Sequence, residues 1–539
     1  MVVVSFDYSE FKKLLDIPKE KVIGGLTEIG APAEVEPETG KIFVELTPNR
    51  PDWYSLEGLA RALRSYYKKE NRGYTAKESD YKVIVDEGVS EIRPYTACAV
   101  IKNLKFDDQK IRDVVLLQEK LLATLGRHVK RFGIGVYPLK EIEFPVRYTA
   151  MKPEKIIYKP LNYPSEANAW EILKEHPKGQ EYGYIIEKFD KFPVFVDNKD
   201  RIMALIPIVN SAETGKVDMD TREVFVEVSG NDTVGIKQAL NIIVCSFADM
   251  GGEVYTVEIA YPEKSEKTPD LDYVRMKIDV KKTERVLGVE LGVDKIKEML
   301  LKMGYGMEGK DALVPPYRAD VLDEIDIVED IAIVYGYNNF EPTTPDFFTP
   351  GKLSRDKKGI SSIMEGMGFV EVVTFILTNK DKLVGVGHGG KLKEIINPAT
   401  EEFTTLRPTL VADMVDIFIT NKMSGLPQKF YEIGTVYEGG KTKKKLCFGI
   451  ADTSLEFSDA RGYLQTLMKE IGVEYGLEER EYRYLEPPFS TAITTKKGEI
   501  GVLGKLSRKI CEENNVGFDV YVCEISLWSI KYLPIQPKR

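Results

Sequence analysis

Two proline-bearing polar breaks decide how this chain can fold, because each ends the regular apolar patterning on either side of it. YPEKSEKTPDLD (261–272) is charged and carries Pro262 and Pro269, and TTPDFFTPGKLS (343–354) resets the pattern a second time. The first predicts a domain boundary near 262–270. A chain of 539 residues is several times the ~100–200 residues of a typical domain, so three or four hydrophobic cores are expected. Hydrophobic residues at 43% and charged residues at 30% describe folded material and exclude a largely disordered chain.

Between the breaks the periodicities alternate. VVVSF and KIFVEL read as strands, and DYSEFKKLL as a helix that Asp7 can cap. TPNRPDWYSLEGLARALRSYY places Trp53, Leu56, Leu59, Ala60, Leu63 and Tyr67 on one helical face, with Asp52 as the expected N-cap. YKVIVD and PYTACAVIKNL predict strands, followed by a long helix and the strand FGIGVYPL. IPIVNSAETGKV and VFVEVSGND predict two further strands with polar turns, and TVGIKQALNIIVCSFADMGG a buried helix. From YVRMKIDV a compact unit of about 75 residues reads as short helix, helix, strand or turn, and helix. From about 351 onward the alternation predicts an antiparallel or mixed sheet with flanking helices.

Composition removes several function classes. Lys plus Arg number 75 and Asp plus Glu 85, a formal charge of −10, so no global positive field advertises nucleic acid, although a local basic face remains open. Five cysteines without a CxxC pair fit neither a disulfide framework nor a zinc site. The start MVVVSFDYSEFKK lacks the pattern of an export signal, and no window is apolar for the ~18–20 residues a membrane span needs. A cytoplasmic protein is expected. His128, His176 and His388 are far apart, and no GxxxxGK[ST] loop is present.

Two local patterns can carry chemistry. The first is acidic: in RADVLDEIDIVEDIAIVYGYN, Asp326, Glu329 and Asp330 fall close together on a helical face, and Asp320 can close the group from the preceding turn. Carboxylate oxygens suit Mg²⁺, while a solvated acidic face that favours the positive end of a helix dipole fits the same spacing. The second is polar: Asn210, Ser211, Glu213 and Thr214 in one turn, and Glu227, Ser229 and Asn231 in another, make pocket candidates. Arg407, just before an apolar helical run, can hold an acidic ligand or form a structural ion pair. In LGRHVKRFG, Arg127, Lys130 and Arg131 flank His128 in a short basic patch that reads either as a phosphate contact or as a charged helix end.

The ordered set TPNRPDWYSLEGLARAL, IPIVNSAETGKV, VFVEVSGND, PPYRADVLDEIDIVEDIAIVYGYN, INPATEEFTTLRPTL and FYEIGTVY resembles the beta subunits of phenylalanine-tRNA ligase in their archaeal and eukaryotic-type form, across essentially the whole chain. The resemblance implies an α+β multidomain fold. Its parts are an N-terminal α+β domain (1–80), a mixed α/β editing domain (81–265), a small helical, magnesium-binding module (270–345) and a C-terminal antiparallel-sheet, class II synthetase-like domain (350–539). This last domain has Phe430-Tyr431-Glu432 and GVLGKLSR where class II sites use Arg shortly before Glu and a Gly-rich run into Arg, so an incomplete catalytic site that packs on another chain is implied.

The implied function is that of a subunit in an enzyme joining phenylalanine to tRNA(Phe) with ATP, releasing AMP and diphosphate. Its implied partners are an alpha subunit, usually in an α2β2 tetramer, and tRNA(Phe), with ATP and phenylalanine bound by the alpha subunit and no membrane involved. The family's Mg²⁺ pattern falls on Asp320, Asp326, Glu329 and Asp330. Editing of tyrosyl-tRNA(Phe) is implied for Asn210, Ser211, Glu213, Thr214 and Glu227. A second pocket that reads the tyrosyl hydroxyl can separate two amino acids differing by one oxygen. A non-catalytic RNA-binding or assembly scaffold, or a stand-alone carboxylate-metal hydrolase, are the competing readings.

Overall fold

The computed structural model describes residues 2–344, 347–351, 358–388 and 392–530. The chain forms two compact units, Met1–Thr344 and Pro345–Arg539.

The first unit opens with a three-stranded antiparallel sheet ordered Val2–Phe6, Ile42–Leu46, Ala33–Val35. Helix Leu56–Lys68 buries Leu56, Leu59, Ala60 and Leu63, the face read from the sequence. Its cap is Ser55, whose hydroxyl accepts the Gly58 N–H at 3.1 Å. Asp52, expected in that role, sits instead in the 3₁₀ turn Pro51–Trp53 and takes two hydrogen bonds from Arg50 at 2.9 and 2.8 Å. A proline-led turn thus intervenes between the acid and the helix, and the hydroxyl three residues later does the capping. Gly58 is required there, because a Cβ would lie 1.9 Å from the Asp52 carbonyl oxygen.

Next comes a ten-stranded sheet whose path runs Val209–Asn210, Ile202–Leu205, Phe192–Val196, Val146–Met151, Lys82–Val85, Glu253–Ala260, Tyr95–Lys102, Val224–Gly230, Phe132–Pro138. It curls until its ends approach one another: a Cβ on Gly133 would sit 2.8 Å from the Pro207 Cβ. The sheet is therefore nearly closed around its own interior, where Val83, Cys98, Val100, Tyr137, Tyr148, Phe195, Phe225 and Ile259 form one cluster. The alternate residues Ala97, Ala99, Val226 and Val228 face the other way and pack with helix Thr233–Asp249. The segment read as a linker near 262–270 carries the tenth strand, Ser265–Thr268, paired antiparallel with Val257–Ala260. Thr268 is buried, donates to the Cys98 carbonyl at 2.7 Å and accepts its N–H at 2.9 Å.

The acidic segment lies in a small module of helices Val280–Leu287, Gly292–Lys302 and Glu324–Tyr335 with the three short strands Val274–Lys277, Asp311–Val314 and Gly306–Glu308. Ile296, Leu300, Ile327 and Ile331 belong to the same core cluster as Leu59 and Leu63, so this module and the N-terminal sheet share one core.

The second unit is built on a seven-stranded sheet ordered Val370–Glu371, Gln428–Glu438, Lys441–Asp452, Asp519–Ser526, Gly498–Leu506, Leu485–Thr495, Gly476–Glu479. Only the first pair is parallel. Strand alternation sends Tyr431, Ile433, Leu446 and Phe448 to a core shared with helix Phe457–Ile471, and Val436, Cys447 and Ala451 to one shared with helix Val411–Thr420. That second helix lies close because Gly449 has no side chain; a Cβ would meet the Phe418 ring at 2.4 Å. Among the described residues no helix is long and apolar enough to cross a membrane.

Candidate functional site

The interior of the nearly closed sheet holds a polar group that hydrophobic packing alone does not explain. Glu227 stands opposite Cys98 on one neighbouring strand and Gly135 on the other, and the period of two turns it inward with Phe225 and Ser229. Ser229 donates its hydroxyl to Oε2, and the Tyr137 hydroxyl donates to Oε1 at 3.4 Å. Burial pushes the Glu227 carboxyl up to about 7, against the hydrogen bonds from Ser229 and Tyr137, which favour the anion. Gly135 makes the room: a Cβ there would lie 2.7 Å from Oε1 and 2.4 Å from the Tyr137 hydroxyl. The Thr96 and Ser229 hydroxyls are 2.8 Å apart. Arg93, fully buried, spends one nitrogen on the carbonyls of Val129 and Ser229 at 3.2 and 3.1 Å, while its Nε and Nη1 have no hydrogen-bond partner among the described residues.

The other polar turn lies elsewhere on the same fold. Asn210 ends a two-residue strand, and its carbonyl accepts the Leu161 N–H at 2.8 Å. Ser211 is buried and accepts the Glu213 N–H at 3.2 Å. Glu213 is exposed and pairs with Arg201 at 3.1 Å, and Thr214 is buried with its hydroxyl unpartnered. Ser211 and Glu213 line a cavity of about 570 Å³ together with Arg147, Lys155, Tyr158 and Arg201. Arg201 is fixed by the buried Asp197, which accepts from its Nε at 3.0 Å and its Nη2 at 2.6 Å. No hydrogen bond or ion pair joins Glu227 to residues 210–215 among those described. Arg93 and Tyr137 had no local sequence signal, since each acquires its role from strands distant in the chain, whereas Asp197 and Arg201 pair only four residues apart.

Three of the four acidic candidates have structural tasks. Asp320 accepts two bonds from Arg318 at 2.8 and 2.7 Å, and Asp330 accepts from Arg318 at 2.7 Å and from the Tyr305 hydroxyl at 2.5 Å. Burial works against the Asp320 carboxylate, yet Arg318 holds it below the usual range. Asp326 closes a capping box by accepting the Leu322 and Asp323 N–H groups at 2.7 and 2.9 Å, and Glu329 is exposed. As arranged, Asp320 and Asp330 are committed to the buried Arg318, and among the described residues no three acidic, histidine or cysteine side chains are gathered as a metal-ligand group. Asp330→Asn is therefore expected to lower the chain's stability by roughly 3 kcal/mol, since it leaves Arg318 under-compensated. Denaturation with magnesium and with chelator should give the same loss; a loss seen only with magnesium would make the carboxylate a metal ligand.

In the second unit, Arg407 is buried and bonded to Glu432 at 2.6 Å, Asp413 at 2.8 Å, the Thr435 carbonyl at 3.1 Å and the Thr374 hydroxyl. Nearby, Glu524 accepts from Lys445 at 2.8 Å, Thr409 at 2.7 Å and the Leu410 N–H at 2.6 Å. A Cβ on Gly434 would lie 2.6 Å from Arg407, Glu432 and Leu410 alike. This sheet face is filled by its own paired charges.

A multidomain α+β chain with a nearly closed sheet and a separate, helix-flanked antiparallel-type sheet is the class of architecture on which tRNA synthetase family models match. The model described as tRNA synthetase B5 domain matches residues 276–337, and that described as phenylalanyl tRNA synthetase beta chain CLM domain matches 319–527. The phenylalanine–tRNA ligase beta subunit of Archaeoglobus fulgidus is 34% identical over 541 residues, covering 98% of this chain and 98% of the relative. That of Pyrococcus horikoshii is 33% identical over 517 residues, covering 92% of each. The crystal structure of an N-terminal fragment of the Pyrococcus horikoshii phenylalanyl-tRNA synthetase beta subunit superposes with a TM-score of 0.60 at 31% identity, covering 62% of this chain and 99% of the fragment. The chain belongs to the phenylalanine–tRNA ligase beta subunit family.

Proposed function

We propose that this chain works in the cytoplasm with an alpha subunit, in an α2β2 enzyme that converts ATP, L-phenylalanine and tRNA(Phe) to AMP, diphosphate and L-phenylalanyl-tRNA(Phe). The observation that carries the reading is similarity running end to end, over 98% of both this chain and its relative. The alpha subunit supplies the sites for ATP and phenylalanine. The filled face around Arg407 and Glu432 supports this division, because a nucleotide needs an open, charge-complementary pocket and these groups satisfy one another. The C-terminal unit then serves as a class II synthetase-like body that packs on the alpha chain. A magnesium ion in this module would draw on Asp320, Asp326, Glu329 and Asp330, in competition with the Arg318 pairs of Asp320 and Asp330 and the capping box of Asp326.

Within that enzyme this chain hydrolyses tyrosyl-tRNA(Phe). Water adds to the ester carbonyl, the bond to the ribose oxygen breaks, the ribose oxygen takes a proton, and tyrosine and tRNA leave. Glu227, buried and pinned by Ser229 and Tyr137, is the group best placed to read the tyrosyl hydroxyl or take the water's proton. Ser211 and Glu213, on the cavity of about 570 Å³, are the alternative placement.

Co-purification with the alpha chain, followed by phenylalanylation and tyrosine release with and without this subunit, tests the whole. The expected result is that both activities require it. Tyrosine release that survives Glu227→Gln but fails in Glu213→Ala or Thr214→Ala would move the editing centre to the 210–215 turn. Restored phenylalanylation with no tyrosine release would leave the chain an assembly scaffold.

A further inference from the structure

The segment after helix Asp108–Ala123 adopts a conformation that amino acids with side chains avoid. Arg127, His128 and Val129 are successive non-glycine residues in the left-handed region, with φ of 48°, 52° and 66°. Such a residue costs roughly 1–2 kcal/mol each. Backbone bonds fix the turn: Arg127 N–H to the Thr124 carbonyl at 3.0 Å, Val129 N–H to that of Leu122 at 3.3 Å, and Arg131 N–H to that of Gly126 at 2.9 Å. The result divides the side chains cleanly. Val129 is buried, and its carbonyl receives Arg93, while Arg127, His128 and Lys130 point to solvent.

Arg127 and Lys130 are unspent cations, with the His128 ring between them. None has a carboxylate within ion-pair distance among the described residues, whereas the adjacent Arg131 is paired with Asp232. Glu181, whose carboxyl is lowered first by a hydrogen bond from Tyr182 and only last by His128, is bonded to Lys178 at 3.1 Å. Tyr184, 48% exposed, lies under Lys130 with the ammonium 5.9 Å from its ring. A positive, aromatic-bearing spot on a chain of charge −10 fits an anionic polymer with stackable bases. Its position matters as well: through Arg93 the turn is tied to Ser229, and Asn231 donates its N–H to the Arg131 carbonyl at 2.9 Å. The patch borders the end of the strand Val224–Gly230 at which Ser229 stands, two residues from Glu227.

We propose that the turn 127–130 is an RNA-docking surface, in which Arg127, His128 and Lys130 take backbone phosphates and Tyr184 stacks a base of the strand led toward Glu227. The proposal rests on tRNA being the substrate of this chain. The strained backbone holds the cations outward in fixed places, so less freedom is lost when RNA binds.

The test uses the two-subunit enzyme and tRNA(Phe). Asparagine tolerates the left-handed region, so Arg127→Asn, His128→Asn and Lys130→Asn are combined. The tRNA Kd and the KM for tyrosine release should rise roughly tenfold with kcat little changed, and the logarithmic salt dependence of Kd should become shallower by about 2, as for the two charged phosphate contacts of Arg127 and Lys130. Arg127→Lys with Lys130→Arg should keep wild-type affinity. Unchanged Kd and salt slope would overturn the proposal even if editing stands. If the wild-type enzyme releases no tyrosine, the editing reading falls, and the Kd comparison still decides the docking surface. Should the triple variant fail to assemble, Lys130→Gln with Tyr184→Leu, both outside the left-handed residues, is read by the same Kd and slope.

Discussion

Glu227→Gln in the two-subunit enzyme is expected to slow tyrosine release from tyrosyl-tRNA(Phe) roughly 100-fold, while phenylalanylation stays within about twofold. The working form is the anion whichever task the carboxylate performs, since only the anion accepts a proton from water or a strong hydrogen bond from a phenol. Wild-type release should therefore decline as pH falls below about 7, the value to which burial pushes this group, and the variant should lack that limb. A pH profile that is flat in the wild type would remove Glu227 from the reaction.

The same substitution separates chemistry from folding. The folded-state value of Glu227 lies above its ordinary 4.5. Its contribution to stability is thus fully present below about pH 4.5 and is lost as pH rises through about 7. Glutamine has no proton to lose, so on the alkaline side of 7 the variant should be more stable than the wild type by up to about 3 kcal/mol. Lost editing together with gained stability excludes a misfolded variant as the cause, and a variant that is both inactive and less stable above pH 7 would contradict the assigned protonation.

What could be read from the sequence followed from local periodicity. KIFVEL, TVGIKQALNIIVCSFAD and FYEIGTVY each carry a pattern that one neighbouring layer satisfies, and each forms the element expected. The helix bearing Asp326, Glu329 and Asp330 was equally legible. The fate of its carboxylates was not, because Arg318 turns back onto Asp320 and Asp330 only once the chain folds and brings up Tyr305. Ser265–Thr268 was hidden for a different reason: its charges and flanking prolines resemble a linker, although it pairs with Val257–Ala260 and its Thr268 hydroxyl is held by the Cys98 backbone, 170 residues away in sequence. Glu227 was visible as a polar residue in an apolar strand, but its partner Tyr137 is brought to it by strand pairing, which no window of sequence encodes.

Arg407→Met is expected to destabilise the C-terminal unit by about 3–5 kcal/mol, because methionine fills most of the volume but leaves Glu432 and Asp413 buried without their cation. The sign of the pH dependence distinguishes this cause from a packing defect. Burial already pushes Asp413 up to about 6 with Arg407 beside it, and removal of the guanidinium raises it further. Carboxyls with raised folded-state values stabilise at low pH and lose that contribution as pH rises, so variant and wild type should converge as pH falls toward about 5 and diverge above 7. A packing defect would cost the same at every pH. Adding Glu432→Gln to Arg407→Met should recover part of the loss at neutral pH, and urea denaturation followed by a probe in this unit reads all three proteins. In the enzyme, the single variant should lower the amount of assembled complex while leaving kcat per assembled complex near wild type, because a charge network satisfied within one chain supports the body that a partner packs on and takes no part in ATP chemistry. A kcat that collapses in fully assembled complex would place Arg407 in the reaction instead.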